Sequence, residues 1–175
     1  MKRTLLALAA GAALALGSVA AAAVVQTSAT GLLVGDGFRL VGDSRKVTFG
    51  EPEAAVTAHV ARVFGAQPVR STVTACRNGT FEYADWGKGL KLVFQQGKLV
   101  GWVADRSIAP GYTNPPRVEF GRPVSEIRAQ NPGFMLADAV RGKAFGFAGF
   151  YGQVWQPGPS ATIDLLTAGA DCRPR

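Results

Sequence analysis

Apolar residues along the chain repeat with two different periods, and the change between them marks the elements. Val56, Val60, Val63 and Phe64 fall at i, i+4, i+7 and i+8, which is one face of an α-helix. Glu51 and Glu53 lie near its positive end, and Gly65 ahead of Pro68 marks its stop. Beyond it the period falls to two. Leu90, Leu92 and Phe94 alternate with Lys91 and Val93, Gln95-Gln96-Gly97-Lys98 turns the chain, and Leu99 to Val103 returns as a hairpin strand. Ser71 to Ala75 and Thr80 to Tyr83 are two earlier strand candidates. A second, shorter helix runs past Ile127 and is cut off by Asn131-Pro132-Gly133. Ala144 to Tyr151, Gln153 to Trp155 and Ala161 to Leu166 read as strands after it.

The two helix starts are alike. Val47, Phe49, Gly50, Pro52 and Val56 recur as Val118, Phe120, Gly121, Pro123 and Ile127, all at an offset of 71. The Gly permits a turn, and the Pro suits the first turn of a helix. The chain is therefore expected to be an α+β protein, with two units of helix followed by antiparallel sheet packed together. The first unit spans 47–107, residues 108–117 form a Pro- and Gly-rich linker, and the second unit spans 118–175. A unit of this size barely supplies its own core, so packing the two together is favoured.

The first residues follow a different pattern. Lys2 and Arg3 precede an apolar run from Leu5 to Val25, with small residues near Ser18-Val19-Ala20. A basic start, an apolar middle and a small-residue cut site predict a secretory signal peptide over 1–23, with several possible cleavage registers. Residues 24–46 then lead into the first unit. The product would be periplasmic or secreted. The alternative is an uncleaved anchor in the inner membrane, since 21 residues suffice to span it. Removing Lys2 and Arg3 lowers the formal charge from +7 to +5. The remaining basic residues are dispersed, without the charge block of a nucleic-acid arm.

Export changes the reading of the two cysteines. In an oxidising compartment Cys76 and Cys172 are expected to form one disulfide, closing a long loop worth roughly 4 kcal/mol. Asn78-Gly79-Thr80 matches a glycosylation sequon, but its Gly favours the reading as a turn.

Several motifs together resemble a known group. They are the Gly that opens each helix, the ending Phe64-Gly65-Ala66-Gln67-Pro68, and Trp86-Gly87-Lys88-Gly89-Leu90 leading into Leu92-Val93-Phe94-Gln95-Gln96-Gly97-Lys98. The pattern is similar to the tandem units of the beta-lactamase inhibitor protein and the related SmpA/OmlA outer-membrane lipoproteins. It also resembles secreted bacterial proteins of unknown function. The likeness covers about Val47 to Cys172. The chain departs from the lipoproteins in having no Cys after its apolar run, so it carries no site for their lipid anchor.

Catalytic patterns are sparse. His59 is the single histidine and sits at the margin of the helix's apolar face, which suits a packed residue better than a base. Glu82 and Asp85 flank Tyr83 without a fixed separation, and the remaining aspartates are dispersed, so no metal or cofactor is expected. Aromatic residues are dense, with Phe145, Phe147, Phe150, Tyr151 and Trp155 close together. Trp86, Trp102, Tyr112, Tyr151 and Trp155 carry polar handles and are the candidate binding residues. The function expected is a non-enzymatic interaction module that recognises an envelope or extracellular protein, or another envelope component, through an aromatic sheet face. The alternatives are a small hydrolase with unassigned carboxylates, or a structural envelope protein.

Overall fold

The computed structural model describes residues 31–40, 42–108, 112–113, 118–147 and 149–172. The expected signal peptide, the first part of the lead-in and most of the linker lie outside the described residues.

Among the described residues the chain is mostly β, with 46% in strands and 15% in helices. This corrects the expected α+β arrangement of two helix-plus-sheet units. Among the described residues three strands lie ahead of the first helix: β1 (Gly31–Val34), β2 (Gly37–Leu40) and β3 (Lys46–Thr48). They form an antiparallel sheet that β8 (Tyr112–Thr113) extends by pairing parallel to β1. Helix α1 (Glu53–Phe64) is followed by β4 (Val69–Cys76), β5 (Gly79–Asp85), β6 (Leu90–Gln95) and β7 (Lys98–Asp105). Helix α2 (Val124–Gln130) precedes β9 (Ala137–Asp138), β10 (Lys143–Phe147), β11 (Phe150–Val154) and β12 (Leu165–Gly169).

These eight later strands make one sheet in the order β4-β5-β6-β7-β12-β11-β10-β9, antiparallel throughout. The joint is β7 against β12. Neither run of four strands closes a sheet alone, because the last strand of each finds its partner in the other. The two helices are too short to form a layer of their own.

Both helices open in the same way. Gly50 and Gly121 take left-handed φ values of 93° and 79°, and Pro52 and Pro123 stay extended at the N-caps. Pro52 bridges to Lys98 at the start of β7, and Pro123 to Thr162 in the connection between β11 and β12. Free N–H groups at the helix starts are met by the same segments, Glu53 N–H by the Gly97 carbonyl and Val124 N–H by that of Ala161, both at 2.8 Å. At the other end of α1, Gly65 at φ 68° closes the helix.

One face of the large sheet, here the inner face, carries the main core. Leu90, Leu92, Trp102, Ala104, Leu166 and Phe150 meet Val56 and Val60 of α1, Ile127 of α2, and Leu33, Phe38 and Val47 of the small sheet. Trp102 sits where these layers meet and is fully buried. Its indole N–H is shared between the carbonyl oxygens of Gly37 (2.8 Å) and Val34 (3.1 Å), which ties the β1–β2 turn to the large sheet.

Candidate functional site

The opposite, outer face of the sheet divides into a covered half and an open half. The cause of the division is the C-terminus. Gly101 and Gly169 pair across the β7–β12 joint, leaving a bare strip on the sheet. A Cβ on Gly101 would come within 2.3 Å of the Ala170 carbonyl oxygen, so only glycine lets the chain cross here. After β12 the chain turns at Gly169 (φ 76°), and Ala170 N–H donates to the Val100 carbonyl at 2.8 Å. Residues 170–172 then cross toward β5 and β4 as a strap.

The strap is fastened at two points. The Tyr83 hydroxyl donates to Asp171 Oδ1 at 2.8 Å, and the Cys172 N–H reaches both Asp171 Oδ1 (2.8 Å) and the Tyr83 oxygen (3.2 Å). Burial, reinforced by the Asp171 carboxylate, pushes the Tyr83 hydroxyl up to about 12, so it keeps its proton and remains a donor. The second fastening is the Cys76–Cys172 disulfide, which the sequence predicted, with its Cα atoms 5.2 Å apart. Beneath the strap, Phe81, Tyr83 and Val93 form a small second core with Cys76.

The open half, over β12, β11 and β10, is the floor of a groove of about 910 Å³. Tyr151, Gln153, Thr167, Leu165 and Ala144 come from the floor, and the strap with Arg77, Asn78 and Phe81 forms the wall. Tyr151 lies directly across from Gly146, and a Cβ on that glycine would be 3.3 Å from the Tyr151 ring. The ring therefore rests over the glycine and remains half exposed. Trp155 is also exposed, and its indole N–H donates to Gln153 Oε1 at 3.1 Å, so the ring leans back along the same face. Its backbone N–H donates to Asp164, a buried carboxylate paired with Arg106, which holds the end of β11 in place. Aromatic faces, an amide, a hydroxyl and a guanidinium thus line one concave surface. These groups can stack on and hydrogen-bond to a ligand.

The five residues singled out from the sequence do not come together. Tyr151 and Trp155 share this face. Trp86 and Trp102 are core residues on the inner side: Trp86 donates to the Ala66 carbonyl at 3.0 Å and meets Phe64 edge-on. The side chain of Tyr112 lies outside the described residues. Gln153, Thr167, Arg77 and Asn78 were missed. For Gln153 the signal was the alternation along β11, which the expected unbroken strand from Ala144 to Tyr151 obscured. Gly149 (φ 85°) turns the chain instead, so Phe145, Phe147 and Phe150 all face the inner core while Tyr151 faces out. Asn78 lies in the β4–β5 hairpin turn, where its carbonyl accepts from Gln95 at 2.8 Å.

His59 is far from the groove, buried on the α1 side of the sheet. The Arg62 guanidinium donates to Nδ1 at 3.2 Å, so that nitrogen is unprotonated and the proton sits on Nε2. Nε2 is 3.2 Å from Asp43 Oδ2, but too poorly aligned for a hydrogen bond. Burial, with help from Arg45 and Arg62, holds His59 below its ordinary 6.5, against the opposing pull of Asp43 and Glu51. The folded chain therefore binds this proton less readily than the unfolded chain. Stability from this site is complete above about pH 6.5 and declines as pH falls below it. A melting series between about pH 7.5 and 5 should show that slope, and His59→Gln should flatten it. An equal slope in the variant would contradict the assignment.

Glu82 and Asp85 project from opposite faces of β5, and Asp85 pairs with Lys91 and caps Gly87. Among the described residues no three His, Cys, Asp or Glu side chains are grouped to hold a metal ion, and no helix is long and apolar enough to cross a membrane. No protein-family model, curated protein or solved structure matches the chain.

Proposed function

We propose that this protein is an exported, non-enzymatic interaction module that recognises an envelope or extracellular protein on the open half of its outer sheet face. The observation that carries this reading is the pair Tyr151 and Trp155. Tyr151 stands on β11 and Trp155 directly follows it, and both are about half exposed beside a groove with hydrogen-bonding groups. Positioned aromatic rings of this kind give large contact area at low entropic cost and dominate binding energy at protein interfaces. The disulfide supports export, since such bonds persist in oxidising compartments. The basic-then-apolar start supports a signal peptide.

Capture from envelope fractions tests the reading. The double variant Tyr151→Ala, Trp155→Ala should recover about tenfold less of the partner than the parent does, with its melting temperature little changed because both side chains are exposed. Equal recovery by the two proteins would remove this face from the account.

A further inference from the structure

The two edges of the large sheet are built very differently. At one, β9 has two residues, and its Asp138 pairs with Lys143 at 2.6 Å. A short, charged edge resists pairing with another strand. At the other, β4 has eight residues, Val69-Arg70-Ser71-Thr72-Val73-Thr74-Ala75-Cys76, all exposed except the last. Among the described residues it pairs with β5 alone. It contains no Pro, Lys or acidic residue, and half of its side chains are β-branched. Every second residue of an edge strand directs its N–H and C=O away from the sheet, so what completes β4 is another extended strand.

We propose that this strand is β4 of a second copy, paired antiparallel about a two-fold axis at Ser71. The strand's own sequence favours that partner. Val69, Ser71 and Val73 share the outer face, opposite Asp85, Tyr83 and Phe81 of β5. Val69 and Val73 are exposed apolar side chains, Val69 strongly so at 75%. Centring the two-fold on Ser71 sets Val69 of each copy against Val73 of the other, covering all four valines at once. On the inner face it sets Arg70 against Thr72. Arg70 already pairs with Glu53 of α1 and reaches the Thr57 hydroxyl at 3.3 Å, so the two copies meet without opposed unpaired charges. Such an isologous contact closes at two chains, and the blunt β9 edge offers no route to a longer array. A contact of about five residues a side is small, which makes the dimer weak and concentration-dependent.

Sedimentation equilibrium of the disulfide-bonded protein over rising concentration tests this. The mean mass should climb from one chain toward two and stop there. Ser71→Lys places like charges face to face on the axis and should weaken association about fivefold or more, leaving the melting temperature unchanged. Ser71→Cys should oxidise to a covalent dimer much faster than Val69→Cys. Paired antiparallel residues have Cα atoms about 4.5–5.5 Å apart, within disulfide reach, whereas the two copies of Val69 are far apart. A single-chain mass at every concentration would overturn the proposal. So would growth beyond two chains, Ser71→Lys associating as the parent does, or equal crosslinking at positions 69 and 71.

Discussion

Reducing the Cys76–Cys172 bond is expected to lower the melting temperature by about 10 °C. The bond links residues 96 apart, and on the chain-entropy model a loop of that length restricts the unfolded chain by about 4–5 kcal/mol. For a chain of this size each kcal/mol corresponds to about 2–4 °C. The folded state loses more than the constraint. Without its covalent end the strap is held by the Tyr83–Asp171 contact and the Ala170–Val100 hydrogen bond, and Phe81, Tyr83 and Val93 lose a cover. Calorimetry with and without reductant, repeated on a Cys76→Ala, Cys172→Ala double variant, measures the effect. The groove wall should loosen together with the fall in stability. A melting temperature independent of reductant would mean that the disulfide adds nothing to the stability of the fold.

Replacing Trp102 is expected to cost about as much by a different route. It is the largest fully buried side chain, at the meeting point of the large sheet, the small sheet and Phe150. Trp102→Ala should destabilise by about 3–5 kcal/mol through lost burial and the cavity left behind. Trp102→Phe separates the two contributions. It retains most of the apolar contact but withdraws the indole N–H from the Val34 and Gly37 carbonyls, at a cost of about 1–3 kcal/mol. Urea unfolding of the parent and both variants gives the comparison. If Trp102→Phe matches the parent, the hydrogen bonds to the β1–β2 turn do not hold the two sheets together.

Much of the local structure was legible, because it depends on residues near in sequence. Gly65 ended α1 where the pattern placed it, Gly97 lies in the turn of the β6–β7 hairpin, and Asn131 capped a short α2. The cysteine pair was expected because the chain holds two cysteines and its start reads as an export signal. What the pattern could not settle was how strands find partners across the chain. The β7–β12 joint pairs residues about 65 positions apart, and no local feature of either strand specifies that choice. The small sheet was missed for a related reason. Gly35-Asp36-Gly37 is a turn signal between Leu32-Leu33-Val34 and Phe38, but strands of four residues show too few alternations to stand out.

The candidate site was obscured by its glycines. Gly146, Gly149 and Gly152 all lie in one aromatic segment, and any of them could have turned the chain. Only Gly149 does. Gly146 makes room for the Tyr151 ring on the outer face, and Gly152 does so for Phe145 on the inner face, where an added Cβ would meet that ring at 2.2 Å. Placing the turn one glycine away reverses which aromatic residues face the core. Trp86 and Trp102 illustrate the same ambiguity. Their polar handles suggested an interface, yet both are satisfied by backbone carbonyls inside the fold.

Site-specific photo-crosslinking shows whether the open half of the outer face receives a partner. A benzophenone side chain introduced in place of Tyr151 in the groove is compared with the same group in place of Val140, which is fully exposed and does not line the groove. In the native envelope the probe at 151 should give a discrete adduct that excess unlabelled parent protein suppresses, and the probe at 140 should not. The same adducts from both positions, or none from 151, would contradict the account.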